Sequence, residues 1–158
     1  MRITCDEHSL IADVAVVADG KVLPVKHADT NRYDHQAGWF LPDDSIRHLE
    51  HPERAAVRIG KEQLGLDVRG VRMSHIESCK ENDGSWHMPF HFVADFDRAQ
   101  TIAPSSDIAA AQWFGLDTPG EIRSGAPCLG LADSFGNPQE AVRGVDRPGG
   151  GRMNERGT

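Results

Sequence analysis

The sequence predicts an α/β domain. Three observations carry that reading: an apolar strand, turn and strand near the N-terminus, one well-delimited helix in the middle, and a long antiparallel hairpin after it. A length of 158 residues suits one core rather than two. The domain is expected over residues 1–135. From 136 to 158 the text GNPQEAVRGVDRPGGGRMNERGT replaces apolar residues with glycine, proline and charge, the composition of a disordered C-terminal tail.

Leu10 to Ala18 (LIADVAVVA) is apolar and β-branched, Ala18-Asp19-Gly20-Lys21 reads as a tight turn, and Val22 to Val25 continues as a second strand. A polar stretch leads to Gly38-Trp39-Phe40-Leu41, a short strand stopped by Pro42. Asp43 and Asp44 then open a polar loop in the manner of Pro-Asp turns. Pro52-Glu53 marks a helix start, because proline suits the first helical position and an early acid complements the dipole. That helix runs through ERAAVRIGKEQL to Gly65, a left-handed cap. Its internal Gly60 costs about 1 kcal/mol relative to alanine, which calls for close packing at that point. Val68 to Ser78 and Trp86 to Phe96 flank the turn signal Glu81-Asn82-Asp83-Gly84. Ser105-Ser106-Asp107 is placed to cap a short helical turn, Ile108 to Ala111, before Trp113-Phe114.

Charge and cysteine content narrow the function classes. A formal charge of -7 repels long nucleic acid. The N-terminus carries acids where a signal peptide needs bases, and no apolar run approaches the roughly 20 residues that span a bilayer. Three cysteines, Cys5, Cys79 and Cys128, are odd in number and lack CxxC spacing, which argues against a disulfide framework and a zinc knuckle and points to the cytoplasm.

The segment Gly38 to Leu66, GWFLPDDSIRHLEHPERAAVRIGKEQLGL, resembles the Nudix box, Gx5Ex7REUxEExGU with U a bulky aliphatic residue. Glu50, Arg58, Glu62, Gly65 and Leu66 fall on box positions in register, and Ala111-Gln112-Trp113-Phe114 resembles the family's late Trp-Phe signature. The likeness spans roughly residues 9 to 120. It implies a Nudix-type α/β/α sandwich with a mixed central sheet, and dimers are frequent among relatives. It further implies cleavage of a diphosphate linkage in a small nucleotide-type metabolite, with magnesium or manganese held by the carboxylates of the box helix.

Here the three carboxylate positions of the box helix read Ile59, Glu62 and Gln63, so one charge survives, while Asp43 and Asp44 replace the glycines before the box. Two readings follow. In one, Glu62 and Gln63 remain the catalytic positions, and Asp43, Asp44 and Asp107 join Glu62 as metal ligands, Asp107 matching an acidic ligand of many relatives. In the other, the site is inactive and the domain binds a nucleotide or a protein without cleaving it. Glu50, Arg58 and Gly65 are structural in both.

Histidine is abundant, with eight residues. His87 and His91 share one strand face, and with His75 on the partner strand they make a candidate substrate-binding pocket or a zinc site. The competing reading is a set of partly solvated strand histidines.

Overall fold

A computed structural model of the chain describes residues 8–31, 38–80, 84–116 and 122–123. The tail and the turn at 81–83 lie outside them, as do Cys5 and Cys128.

The N-terminal run forms β1 (His8–Ala18) and turns through Asp19 and Gly20, both at positive φ (50° and 68°), into β2 (Lys21–Val22). Those dihedrals make the two-residue turn whose twist matches paired strands, and Ala18 sits opposite Lys21. The expected second strand divides. Val22 stays in the first sheet, and Val25 begins β3 (Val25–His27) in a second one.

Next come β4 (Trp39–Phe40) and β5 (Asp43–Ser45), followed by α1 (Pro52–Leu64). The hairpin strands are β6 (Arg72–Ile76), β7 (Cys79–Lys80) and β8 (Trp86–Phe96), with β9 (Ile108–Ala111), β10 (Phe114–Gly115) and β11 (Ile122–Arg123) after them. One sheet runs β10-β2-β1-β8-β6, with β5 also on β1 and β7 also on β8; the other runs β11-β4-β3-β9. Parallel pairing of β1 with β8 over their whole lengths, beside antiparallel β6, makes the first sheet mixed as expected.

Two expectations fail. Asp43-Asp44 is a strand rather than a turn, because β1 offers an edge (Asp13 opposite Asp43) and each aspartate finds a partner at its own face. Ile108 to Ala111 is strand β9 rather than a helical turn, since pairing with β3 (Val25 opposite Ala111) outweighs the helix preference of three alanines.

Helix α1 ends where the sequence placed its ends. His51 Nδ1 accepts from Glu53 N at 3.3 Å, and Gly65 at φ 69° closes the C-terminus, with Gly65 N donating to Lys61 O and Leu66 N to Gly60 O. Among the described residues it is the only helix, and none is long and apolar enough to cross a membrane. Its Ala55, Ala56, Ile59 and Leu64 pack with Ala12, Val14 and Val16 of β1 and Phe92 and Ala94 of β8 in the core.

Gly60 receives its reason here, because a Cβ on it would stand 2.6 Å from Val68 Cγ2. Gly60→Ala is therefore expected to lose about 1–2 kcal/mol, overpacking outweighing the gain in helix propensity. Urea denaturation of Gly60→Ala, Val68→Ala and the double variant checks this: the double variant should be less destabilised than the sum of the singles.

Cys79 is disulfide-bonded. This overturns the expectation drawn from cysteine spacing: folding can join cysteines remote in sequence, and an odd count only leaves one over. The compartment argument built on unpaired cysteines loses that support.

Candidate active site at the loop and helix of the box

Strand alternation decides the fate of the two aspartates. Successive residues of β5 point to opposite faces of the sheet. Asp44 faces α1, where its Oδ2 accepts from Arg58 Nη1 at 2.8 Å. Asp43 faces away, buried, with its Oδ1 3.1 Å from His27 Nε2 of β3.

Arg58 is the hub. Its Nε and Nη2 donate to the two oxygens of Glu50 at 2.7 and 2.9 Å, Nη2 also reaches Ser45 O at 2.9 Å, and Nη1 is shared by Asp44 and Glu62, the latter at 3.3 Å. The hydrogen bond from Arg58 holds the Glu50 carboxyl below its ordinary range against the opposing effect of burial, and the same bond pushes the guanidinium pKa up. Glu50 also accepts from Arg47 N at 2.9 Å, closing the turn in which Leu49 takes a φ of 60°. Glu50 and Arg58, read from the sequence as structural, thus pair as a fork.

Glu62 is half exposed and takes a second guanidinium, Arg47 Nη2, at 3.1 and 2.9 Å. Ile59 is fully buried in the core cluster. Gln63 is buried as well, and its Nε2 donates to Asp43 O at 2.7 Å. At a box position that the family fills with a carboxylate, a neutral amide ties the helix to a carbonyl of β5.

Of the four residues expected to hold a cation, Asp44 and Glu62 meet at one nitrogen of Arg58, and the Asp43 carboxylate lies on the other side of the sheet. Asp107 is exposed in the turn before β9, and its backbone carbonyl accepts from Ala28 N. Two carboxylates, both only partly exposed, are a small donor set, but magnesium commonly binds through one or two carboxylates, keeping waters and substrate phosphates as its other ligands. The residues present fit a cation delivered with a diphosphate and do not form an all-protein cage.

Across the sheet, His91 Nδ1 lies 2.7 Å from Asp13 Oδ2 and its Nε2 lies 3.6 Å from Glu77 Oε2. His75 stacks on His91 with centroids 4.3 Å apart. Burial opposes charge on His91, but the hydrogen bond and charge of Asp13, with the charge of Glu77, raise its pKa overall. Burial pushes Glu77 up, and burial together with His91 pushes His75 down. His87 stands four residues from His91 along β8, about 13 Å away at 3.3 Å per residue, and its Nε2 meets Ser85 Oγ instead. The structure therefore joins His75 and His91 and separates His87.

Sequence reasoning missed Asp13, Glu77 and Arg47. A lone carboxylate inside LIADVAVVA was a usable signal, because a buried charge demands a partner. The His75-x-Glu77 spacing, which places both on one strand face, was another.

A mixed sheet, with α1 following the ion-paired turn after β5 and a β5 carbonyl tied to that helix, carries the segment that resembles the box. The NUDIX domain family model matches residues 8–127, and the chain belongs to that family. Solved structures with the same fold include a MutT NUDIX hydrolase from Burkholderia pseudomallei, at 22% identity, covering 75% of this chain and 92% of that one with a TM-score of 0.64. The NUDIX domain of Shewanella oneidensis NrtR in complex with ADP ribose matches at 18% identity over 70% of this chain and 75% of that one, TM-score 0.59. A C. elegans Ap4A hydrolase in a binary complex matches at 16% identity over 69% and 81%, TM-score 0.56.

Proposed function

We propose that the protein hydrolyses a diphosphate linkage in a small nucleotide-type metabolite, presented with a divalent cation at the face formed by β5, the following loop and α1. The observation that carries this reading is the convergence of Asp44 and Glu62 on Arg58 Nη1, at 2.8 and 3.3 Å. A bound magnesium or manganese ion would neutralise charge on the diphosphate and polarise its phosphorus–oxygen bonds. Asp44 and Glu62 would hold it. Arg47, exposed and paired only through its flexible end, is free to swing from Glu62 to a phosphate, and Arg58 keeps the two carboxylates oriented. Family membership and fold neighbours that include an Ap4A hydrolase and an ADP ribose complex support the substrate class.

With two carboxylates the cation is held weakly, so activity should need cation in large excess over protein. Glu62→Ala removes one of the two and is expected to cut cation-dependent phosphate release at least tenfold while changing stability by no more than about 1 kcal/mol, since its ion pairs are exposed. Phosphate release from a panel of nucleoside diphosphate derivatives with magnesium or manganese measures this; release that survives Glu62→Ala would sink the reading.

A second reading, binding without cleavage, is favoured by the Gln63 amide on Asp43 O at 2.7 Å, which stands where the box carries a carboxylate. It predicts calorimetric binding of ADP ribose or a similar diphosphate that is independent of cation and yields no product.

A further inference from the structure

We propose that His75, Glu77 and His91 form a second site, on the sheet face opposite the box, that binds one divalent transition metal of the zinc class, with Asp13 positioning His91. Cross-strand register assembles it. Asp13 of β1 sits opposite His91 of β8, and His91 sits opposite His75 of β6, so the three side chains lie in a row on one face. Glu77, two residues beyond His75, returns to that face. Asp13 alternates with Ala12 and Val14, which pack in the core with α1, so the row is separated from Asp44 and Glu62 by the sheet itself.

The geometry is that of ligands around one ion. One ligand atom from each of His75, Glu77 and His91 lies within 4.8 Å of the others, and among the described residues this is the only such group of three. The separation of His91 Nε2 from Glu77 Oε2, 3.6 Å, exceeds a good hydrogen bond. It is close to the roughly 3.4 Å between two ligands that share a tetrahedral ion at about 2.1 Å. His91 donates its Nδ1 proton to Asp13 at 2.7 Å, which points its Nε2 toward Glu77. A carboxylate behind a ligating imidazole fixes its tautomer and strengthens it as a donor. His75 is exposed, so its ring can turn out of the stack on His91 to bring a nitrogen into line.

Donor chemistry selects the metal. Two imidazoles and one carboxylate suit zinc and its neighbours, whereas magnesium prefers oxygen alone. Three protein ligands leave a fourth position for water, on the exposed His75 side. Binding must displace the proton from His91 Nε2 when that ring is charged, so metal uptake releases protons.

The test uses the full chain, stripped with chelator and titrated with zinc or cobalt(II) by calorimetry, with the cobalt visible spectrum as a second readout. Wild type is expected to take up one equivalent at a tight site, with a spectrum of low coordination number. His75→Ala and Glu77→Gln, at exposed and half-buried positions, should retain the fold by circular dichroism and lose that site. Asp13→Asn should weaken it by roughly 10–100-fold. His87→Ala should bind as wild type does, and Glu62→Ala should keep the tight equivalent whatever it does to weak binding at the box, which keeps this result independent of the diphosphate reading. Absence of a tight equivalent in wild type, unchanged binding in both His75→Ala and Glu77→Gln, or loss of the site in His87→Ala would each overturn the proposal.

Discussion

Replacing Arg58 with alanine is expected to lower stability by about 3 kcal/mol, the lower end of what breaking a buried ion pair costs. For a chain of this size that is a fall in Tm of roughly 6–12 °C. The side chain is 11% exposed and supplies donors to Glu50, Asp44, Glu62 and the Ser45 carbonyl at once. Without it Glu50, 14% exposed, loses its side-chain donors and keeps only the backbone hydrogen bond and the more distant charge of Arg47. Arg58→Lys should recover little, because an ammonium cannot reproduce the fork.

The loss has a pH signature. Glu50 titrates below its ordinary 4.5 in the folded chain, so the unfolded chain binds more protons and the pair's stabilisation is present above 4.5. It disappears as pH falls through the lower folded value. Wild type and Arg58→Ala should therefore converge in stability as acid is added. Thermal melts over a pH series measure this, and a gap that stays constant into acid would contradict the role given to Glu50.

Restoring the family carboxylate on its own, as Ile59→Glu, is expected to cost about 3–5 kcal/mol rather than to rebuild a metal site, because it places an unpaired charge in the interior. Ile59 is fully buried, in one cluster with Ala55, Ala56, Leu64, Val14 and Phe92. The new carboxyl would stay protonated well above its usual range, as buried acids do. Chemical denaturation with and without excess magnesium tests this. Wild-type stability in the variant, or a large stabilisation by magnesium, would mean that position 59 reaches the solvent side and that the burial argument is wrong.

The elements with strong local signals came through from sequence to structure. The helix from Pro52 to Leu64 and its Gly65 cap depend on local dihedrals and on donors a turn away, so sequence states them directly. The turn at Asp19-Gly20 and the hairpin strands are similar cases. Asp43-Asp44 and Ile108 to Ala111 misled for the opposite reason, since their strand state is imposed by β1 and β3, far away in the chain.

By itself the sequence determined the family scaffold, the Glu50–Arg58 pairing and the loss of two box charges, because these follow from residue types at fixed spacing along one continuous segment, a turn and the helix after it. Only the tertiary structure decided which carboxylates meet. Alternation along β5 sends Asp44 to Arg58 and Asp43 to His27, and cross-strand register brings Asp13 and His75, from β1 and β6, to either side of His91. A strand's two faces are read from sequence, but which neighbour lies across from it is set by the packing of the whole sheet.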